Sequence, residues 1–328
     1  MADNFKSFLL SKTRSDHCKE LEVIQSLWSG YGKISRYQLS GSKEFTVIVK
    51  CISLNQLDSH PRGWNTDVSH QKKVRSYQVE TAWYEQYSTL CKAECTIPNF
   101  IGFFSEGKNQ WIIMEDLDTR FPLRKSNLSI PEVKACLSWL AHFHGTFMND
   151  EPKGLWEIGT YWHLDTRPDE FQKMAPSELK NQASAIDKKL NNARFKTFVH
   201  GDAKLANFCF SESGNEVAAV DFQYVGGGCG MKDVAYFLGS CLSSEELESH
   251  SPQLLEFYFS ELEKSICQRH AQGNLKEIEF SELETEWREL YPYAWADFTR
   301  FLLGWMHGHQ KINGYSLRMI EEVLSDLA

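Results

Sequence analysis

No run in the 328-residue sequence approaches the ~20 consecutive apolar residues of a membrane-spanning helix. The opening Met-Ala-Asp-Asn-Phe-Lys also lacks the apolar core of a secretion signal, so a cytoplasmic protein with no membrane partner is expected. Nine cysteines are scattered along the chain, an odd number with no paired C-x-x-C set. Cys91 and Cys95 lie close, but no second pair completes four ligands, which leaves reduced thiols rather than a disulfide framework or a zinc site. Positive charge is short too. A formal net charge of −9 argues against a nucleic-acid partner, whose binder would carry a basic patch or stripe. Internal repeats and low-complexity tracts are absent, and nothing specifies an oligomeric state. Glycine-rich phosphate loops are incomplete. After Gly30-Tyr31-Gly32 a full G-x-G-x-x-G needs glycine at 35, where Ser35 stands. Gly32-Lys33 is followed by Ile34, and position 27 is not glycine, so there is no Walker A motif either.

What is present begins with ordinary globular composition, 42% hydrophobic and 24% charged, enough for one large or two small packed units. The chain is organised around Phe198 to Leu238. Phe198-Val199 leads into His200-Gly201-Asp202, and Asn207 follows five residues after the acid. Fourteen residues later Asp221 ends the apolar run Val217-Ala218-Ala219-Val220. Between them, Phe208 and Phe210, a Ser-Glu-Ser-Gly-Asn turn and a short strand read as a β-hairpin. A hairpin brings its ends together, so Asp202, Asn207 and Asp221 are expected to meet. Phosphoryl transfer needs such a set. One carboxylate orients and deprotonates the accepting hydroxyl; a second carboxylate and an amide oxygen hold Mg²⁺ against the nucleotide phosphates.

The order H-x-D-x-x-x-x-N followed by Asp-Phe is that of the kinase catalytic loop and metal-binding motif. With Gly201 in the middle of the triplet and Gln223 after Asp221-Phe222, the stretch resembles the small-molecule phosphotransferases of the aminoglycoside phosphotransferase, choline kinase and ecdysteroid kinase-like group. Asp221-Phe222-Gln223 with Asp233-Val234-Ala235-Tyr236-Phe237-Leu238 downstream is most similar to the ecdysteroid kinase-like branch. The resemblance implies an α+β, two-lobed protein-kinase-like fold. A small lobe of sheet and helix, residues 1–116, would bind nucleotide; a larger, mainly helical lobe, residues 117–328, would carry catalysis and the acceptor. It implies an ATP- and Mg²⁺-dependent kinase of a hydroxyl-bearing small molecule. Asp202 is then the base, Asn207 and Asp221 the metal ligands, and Lys204 either a contact to the transferred phosphate or a solvent-facing lysine. The rivals are a nucleotide-binding pseudokinase or adaptor, and a metal-dependent phosphoesterase using His200, Asp202 and Asp221, which would demand more clustered ligands.

The rest of the chain is read around this centre. Residues 1–24 suggest one or two short helices, and strands follow from Gln25 to Ile52, with turns at Ser29–Gly32 and Ser40–Lys43. Lys50 sits inside the β-branched run Phe45–Ile52, an odd place for a hydrated charge, and matches the phosphate-pairing strand lysine of kinases. Its expected partner is Glu80, within a helix spanning about 71–87, with Glu85 as competitor. Residues 53–70 read as a polar loop. Trp111–Leu117 is a strand leading to a hinge, where backbone groups near Glu115 and Leu117 would meet adenine. Ser129-Ile130-Pro131-Glu132 and Ser281-Glu282-Leu283-Glu284 read as capping boxes. His142 and His144, two apart on one helix, point different ways and read as packing residues, as do His307 and His309. Helical runs are expected near 169–174 and 177–191. The Trp162–Pro168 cluster has no assigned chemistry. Gly226–Gly230 reads as the most flexible segment, too short to dock a peptide, which favours small-molecule acceptors. Asp233 is expected to cap a helix or tie the catalytic-loop backbone. The aromatic residues from Trp287 to Trp305 are either core or a cage for a quaternary ammonium.

Overall fold

The computed structural model describes residues 3–27, 30–41, 44–54, 67–273 and 278–328. Trp28 and Ser29, Ser42 and Lys43 of the second turn, and most of the polar loop read at 53–70 lie outside them. Five antiparallel strands form the first part: β1 (His17–Ser26), β2 (Gly32–Ser40), β3 (Glu44–Ser53), β4 (Phe100–Glu106) and β5 (Asn109–Glu115), in the order β1-β2-β3-β5-β4. Helix α1 (Asp3–Thr13) precedes them, and α2 (Asp67–Gln86) lies between β3 and β4.

Strand alternation decides which residues meet which helix. Val47 and Val49 face one side of the sheet, where Phe5 and Leu9 of α1 join Trp111 and Ile113 in a small core. Ile48, Lys50 and Ile52 fall on the other side, toward α2. Lys50 has Ile34 and Ile112 as its direct cross-strand neighbours, so its charge enters an apolar surface.

One correction concerns the start of the chain. A single helix ends at Thr13, and residues 17–26 extend as β1. The strand is nearly all exposed, with Leu21, Val23 and Ile24 each about half open, so it lacks the alternation by which a half-buried strand is recognised.

The remainder is dominated by helices. In chain order they are α3 (Ile130–Thr146), α4 (Pro168–Lys173), α5 (Glu178–Asn181), α6 (Ala183–Asn191), α7 (Met231–Cys241), α8 (Ser244–Ala271), α9 (Phe280–Trp305) and α10 (Gly314–Asp326). Short strands β6 (Thr197–Val199), β7 (Phe208–Phe210), β8 (Val217–Ala219) and β9 (Gly226–Gly228) carry the central stretch. β7 pairs with β8 as the expected hairpin. Ser129 caps α3, its backbone N–H donating to the Glu132 carboxylate at 2.7 Å. The second expected capping box does not form. α9 begins at Phe280, so Ser281 lies inside the helix and donates to Glu279. No described helix is long and apolar enough to cross a membrane.

The glycine run is also corrected. Residues 226–228 pair with β6, and the Gly226 Cα lies so close to Trp156 that an added Cβ would stand 2.2 Å from its carbonyl oxygen. Glycine serves close packing of two backbones there, not mobility. An α+β chain thus has its antiparallel sheet in the first third and helices in the rest, with a large cleft between the sheet, α2 and the central stretch.

Candidate active site

The cleft encloses about 1360 Å³, and Lys50, Glu80, Glu115, Leu117, Asp202, Lys204, Asn207 and Asp221 all line it. Lys50 Nζ donates to both Glu80 oxygens, at 2.8 and 2.6 Å. The two side chains keep only 3% and 2% of their surface open, so the charges need each other. Glu85 is exposed and takes no part. Helical spacing explains the pair: Lys73, Tyr77 and Glu80 fall at intervals of four and three on one face of α2, turned toward β3. Burial alone would neutralise Lys50, but Glu80 and Asp221 hold its pKa above the ordinary lysine value.

Asp221 Oδ1 stands 3.5 Å from Lys50 Nζ and accepts a hydrogen bond from Gln223. Desolvation works against its charge, but Lys50, Gln223, Lys73 and Lys204 outweigh it and bring the pKa down to about 2. Its side chain keeps 35% of its surface, so the carboxylate opens to the cleft while Lys50 does not. Its backbone is left-handed, φ 72°, uncommon outside glycine but tolerated by Asp. Phe222, next in sequence, turns the opposite way. It stacks on Trp83 of α2 with centroids 4.6 Å apart and reaches the His200 ring at 4.7 Å. That column ties α2 to the central loop.

The loop itself is held from below. Asp233, in the first turn of α7, accepts from the His200 N–H at 2.5 Å and the Gly201 N–H at 3.0 Å. His144 Nε2 stands 3.2 Å from the same carboxylate and Tyr258 OH is 2.7 Å from Nδ1, so this histidine packs and hydrogen-bonds in the core. His142 turns instead to Glu261. His200 Nδ1 accepts from the Asp202 N–H, so its Nε2 carries the proton and donates to Val220 O at 3.0 Å. Gly201 has φ 77°, and an added Cβ would meet Tyr224 O at 2.2 Å, so no side chain fits there.

Asp202 is buried but well partnered. Its Oδ2 accepts from Lys204 Nζ at 2.8 Å and Asn207 Nδ2 at 3.1 Å; Oδ1 accepts from Tyr236 OH at 3.1 Å. The Asn207 amide nitrogen also donates to Asp202 O at 2.7 Å, which leaves its oxygen as the group available to a cation. Asp221 and Asn207 thus offer oxygen donors only, a set that suits a hard cation such as Mg²⁺. Among the described residues no group of three His, Cys, Asp or Glu could hold a metal by itself, so phosphate oxygens would have to complete such a site. At the hinge, the Glu115 N–H is spent on Asn99 O at 2.9 Å, and its carboxylate binds Asn99 and Arg120. The Leu117 carbonyl accepts from the turn that follows.

Several cleft residues carried no assigned role in the sequence. Tyr236 was visible, three positions after Asp233 on one helix face, a spacing that lets one turn of α7 hold both the loop backbone and Asp202. Lys73 donates to Gln223 Oε1 at 2.9 Å and lies over the Tyr77 ring; burial and Lys50 draw it down to about 8, against the pull of Asp221. Lys72 donates to Thr166 O, Thr166 Oγ1 and Tyr161 O, at 2.9, 3.0 and 3.3 Å. Burial and Arg167 bring it down to about 6. The Trp162–Pro168 cluster therefore docks α2. Trp162 is buried, and its indole N–H donates to Asp297 of α9 at 3.0 Å.

The ecdysteroid kinase-like family model matches residues 156–271, which contain the whole central stretch. The resemblance to that group holds over this part of the chain, and the sheet, helix ion pair and loop around it give the protein-kinase-like, two-lobed fold. No curated protein matches. Among solved structures, an amicoumacin kinase with AMP-PNP and Ca²⁺ aligns at TM-score 0.49 and 11% identity, covering 100% of this chain and 96% of that one. A microcompartment-associated aminopropanol kinase aligns at 0.47 and 13%, covering 96% and 93%. A type VIII aminoglycoside-3'-phosphotransferase aligns at 0.44 and 16%, covering 88% and 98%.

Proposed function

We propose that this protein is an ATP- and Mg²⁺-dependent phosphotransferase acting on a hydroxyl of a small molecule, with residues 1–116 as nucleotide lobe and 117–328 as catalytic lobe. The observation that carries this reading is the placement of Asp202 and Asp221 in one cleft, one held by Tyr236, Lys204 and Asn207, the other beside the buried Lys50–Glu80 pair. Lys50 would bind the α/β-phosphates and Glu80 would keep it extended. The Leu117 N–H and the Glu115 backbone would meet adenine. Asp221 and the Asn207 oxygen would hold the metal, whose charge offsets that of the phosphates.

The acceptor hydroxyl donates to Asp202. As its oxygen forms a bond to the γ-phosphorus, the O–H proton passes to the carboxylate. The bond to the bridging β,γ-oxygen breaks, and its electron pair leaves with ADP. Lys204, drawn up by Asp202 despite burial, would offset the charge that builds on the phosphoryl oxygens.

The test is Asp202→Asn, which keeps shape and removes the basic oxygen. Mg·ATP binding should hold, while single-turnover transfer in a screen of hydroxyl compounds should fall about 10²-fold or more, ~2.7 kcal/mol of barrier. A variant as fast as wild type would remove Asp202 as base. A wild type that binds Mg·ATP and transfers to nothing would favour the pseudokinase.

A further inference from the structure

The end of the cleft beyond Asp202 has a charge pattern that phosphate chemistry does not require. Its walls are aromatic: Tyr161, Tyr224, Tyr236, Phe298, Phe301 and Trp305. Its cations are Lys311, in the turn after α9, Arg167 and Lys72. Among the described residues Asp202 is the one carboxylate lining this end, and Lys204 already pairs with it.

Two of the three cations, Lys311 and Lys72, have no carboxylate at ion-pair distance among the described residues. Lys311 Nζ lies 4.5 Å from the Tyr236 centroid and 5.4 Å from that of Phe298, with no hydrogen bond or ion pair among the described residues. Burial brings it down to about 8, against the more distant pull of Asp202, which Lys204 offsets in part. Arg167 lies over Tyr161 and Phe301, at 5.7 and 5.3 Å, pairs with Glu170 at 3.2 Å, and donates from Nε to Tyr161 O at 2.6 Å. Among the described residues the hydrogen bonds of Lys72 all go to neutral oxygens, with Glu170 acting only from farther off. The same contacts argue against the ammonium cage considered from the sequence. A cage needs vacant ring faces, and the protein's own cations already lie over four of these rings. A positively charged acceptor would add repulsion.

We propose that the acceptor is a flat, largely apolar alcohol or phenol bearing an anionic group, its body against the half-open rings of Tyr224 and Trp305, over which no described cation lies, and its anion at Lys311. The proposal rests on the phosphotransfer reading for the place of the hydroxyl. Tyr236 sets the scale: its hydroxyl bonds Asp202 and its ring face holds Lys311. Hydroxyl and anion of one acceptor should therefore lie about one aromatic ring apart. Anion binding would also add the close counter-charge that Lys311 lacks, and so favour the ammonium form that burial disfavours.

The experiment uses three matched probes, 4-(hydroxymethyl)benzoate, its methyl ester and 4-(aminomethyl)benzyl alcohol, titrated calorimetrically into the full chain loaded with Mg·ADP. The acid should bind about tenfold or more tightly than either other probe, the value of one charge-assisted contact. Lys311→Met should bring the acid to the level of the ester, with Mg·ADP affinity and melting temperature in place; Lys311→Gln is the second variant should the first misfold. Equal or tighter binding of ester or amine overturns the proposal. So does an acid preference that survives both variants, or no binding of any probe at millimolar concentration. ADP release measured beside the titration keeps the two readings apart. Acid preference without transfer supports the anion site and counts against the kinase; transfer to the ester alone does the reverse.

Discussion

Lys50 and Lys311 line one cleft and are held in opposite ways. Lys50 grips both oxygens of Glu80, with Asp221 behind, and its pKa is held up although it is fully enclosed. Lys311 rests on two aromatic faces, and its pKa falls. A buried cation with its own carboxylate is part of the folded framework. A cation without one is poised for something that arrives from outside. The contrast separates what holds the site together from what the site would select.

The sharpest way to break this contrast is Glu80→Ala. It leaves Lys50 buried with Asp221 alone, and should cost about 3 kcal/mol of stability in urea unfolding. Glu85→Gln, on the exposed side of the same helix, should stay within about 0.5 kcal/mol. A loss for Glu80→Ala no larger than that would mean the pair carries no structural load.

Tyr236→Phe comes next. It removes one hydrogen bond to Asp202 and little else, so kcat for the acceptor should drop about tenfold, the worth of a bond to a charged group, while Mg·ATP affinity stays. An unchanged kcat would show that Asp202 keeps its orientation through Lys204 and Asn207 alone.

The smallest effect is the most diagnostic of the Lys311 end. Its folded pKa, about 8, lies below the ordinary 10.5, so the unfolded chain binds the proton more readily and burial costs stability below about pH 8. Lys311→Met should therefore match or exceed wild type in stability near neutrality. Its advantage should shrink as pH rises from about 8 toward 10.5, where the unfolded lysine also loses its charge. Denaturant midpoints of both proteins across that range check the sign. A variant clearly less stable at neutral pH would mean that Lys311 is paired after all.

By itself the sequence determined the local geometry of the centre. The β-branched run around Lys50, the aromatic helix with Glu80 and the hairpin joining Asn207 to Asp221 are all short-range patterns. Their periods of 2 and 3.6 state which side chains share a face. The N-terminal strand escaped because an exposed edge has no alternation to read. The glycine run was misread because a glycine demanded by a neighbouring backbone looks the same in sequence as one that is merely mobile. Only the tertiary structure decided the far end of the cleft. Lys72, Arg167, Tyr236 and Lys311 come from four separate segments, and no spacing along the chain relates them. Whether a lysine is compensated depends on which carboxylates the packing of α2, α7 and α9 brings within reach, and Coulomb interactions follow distance in space rather than in sequence.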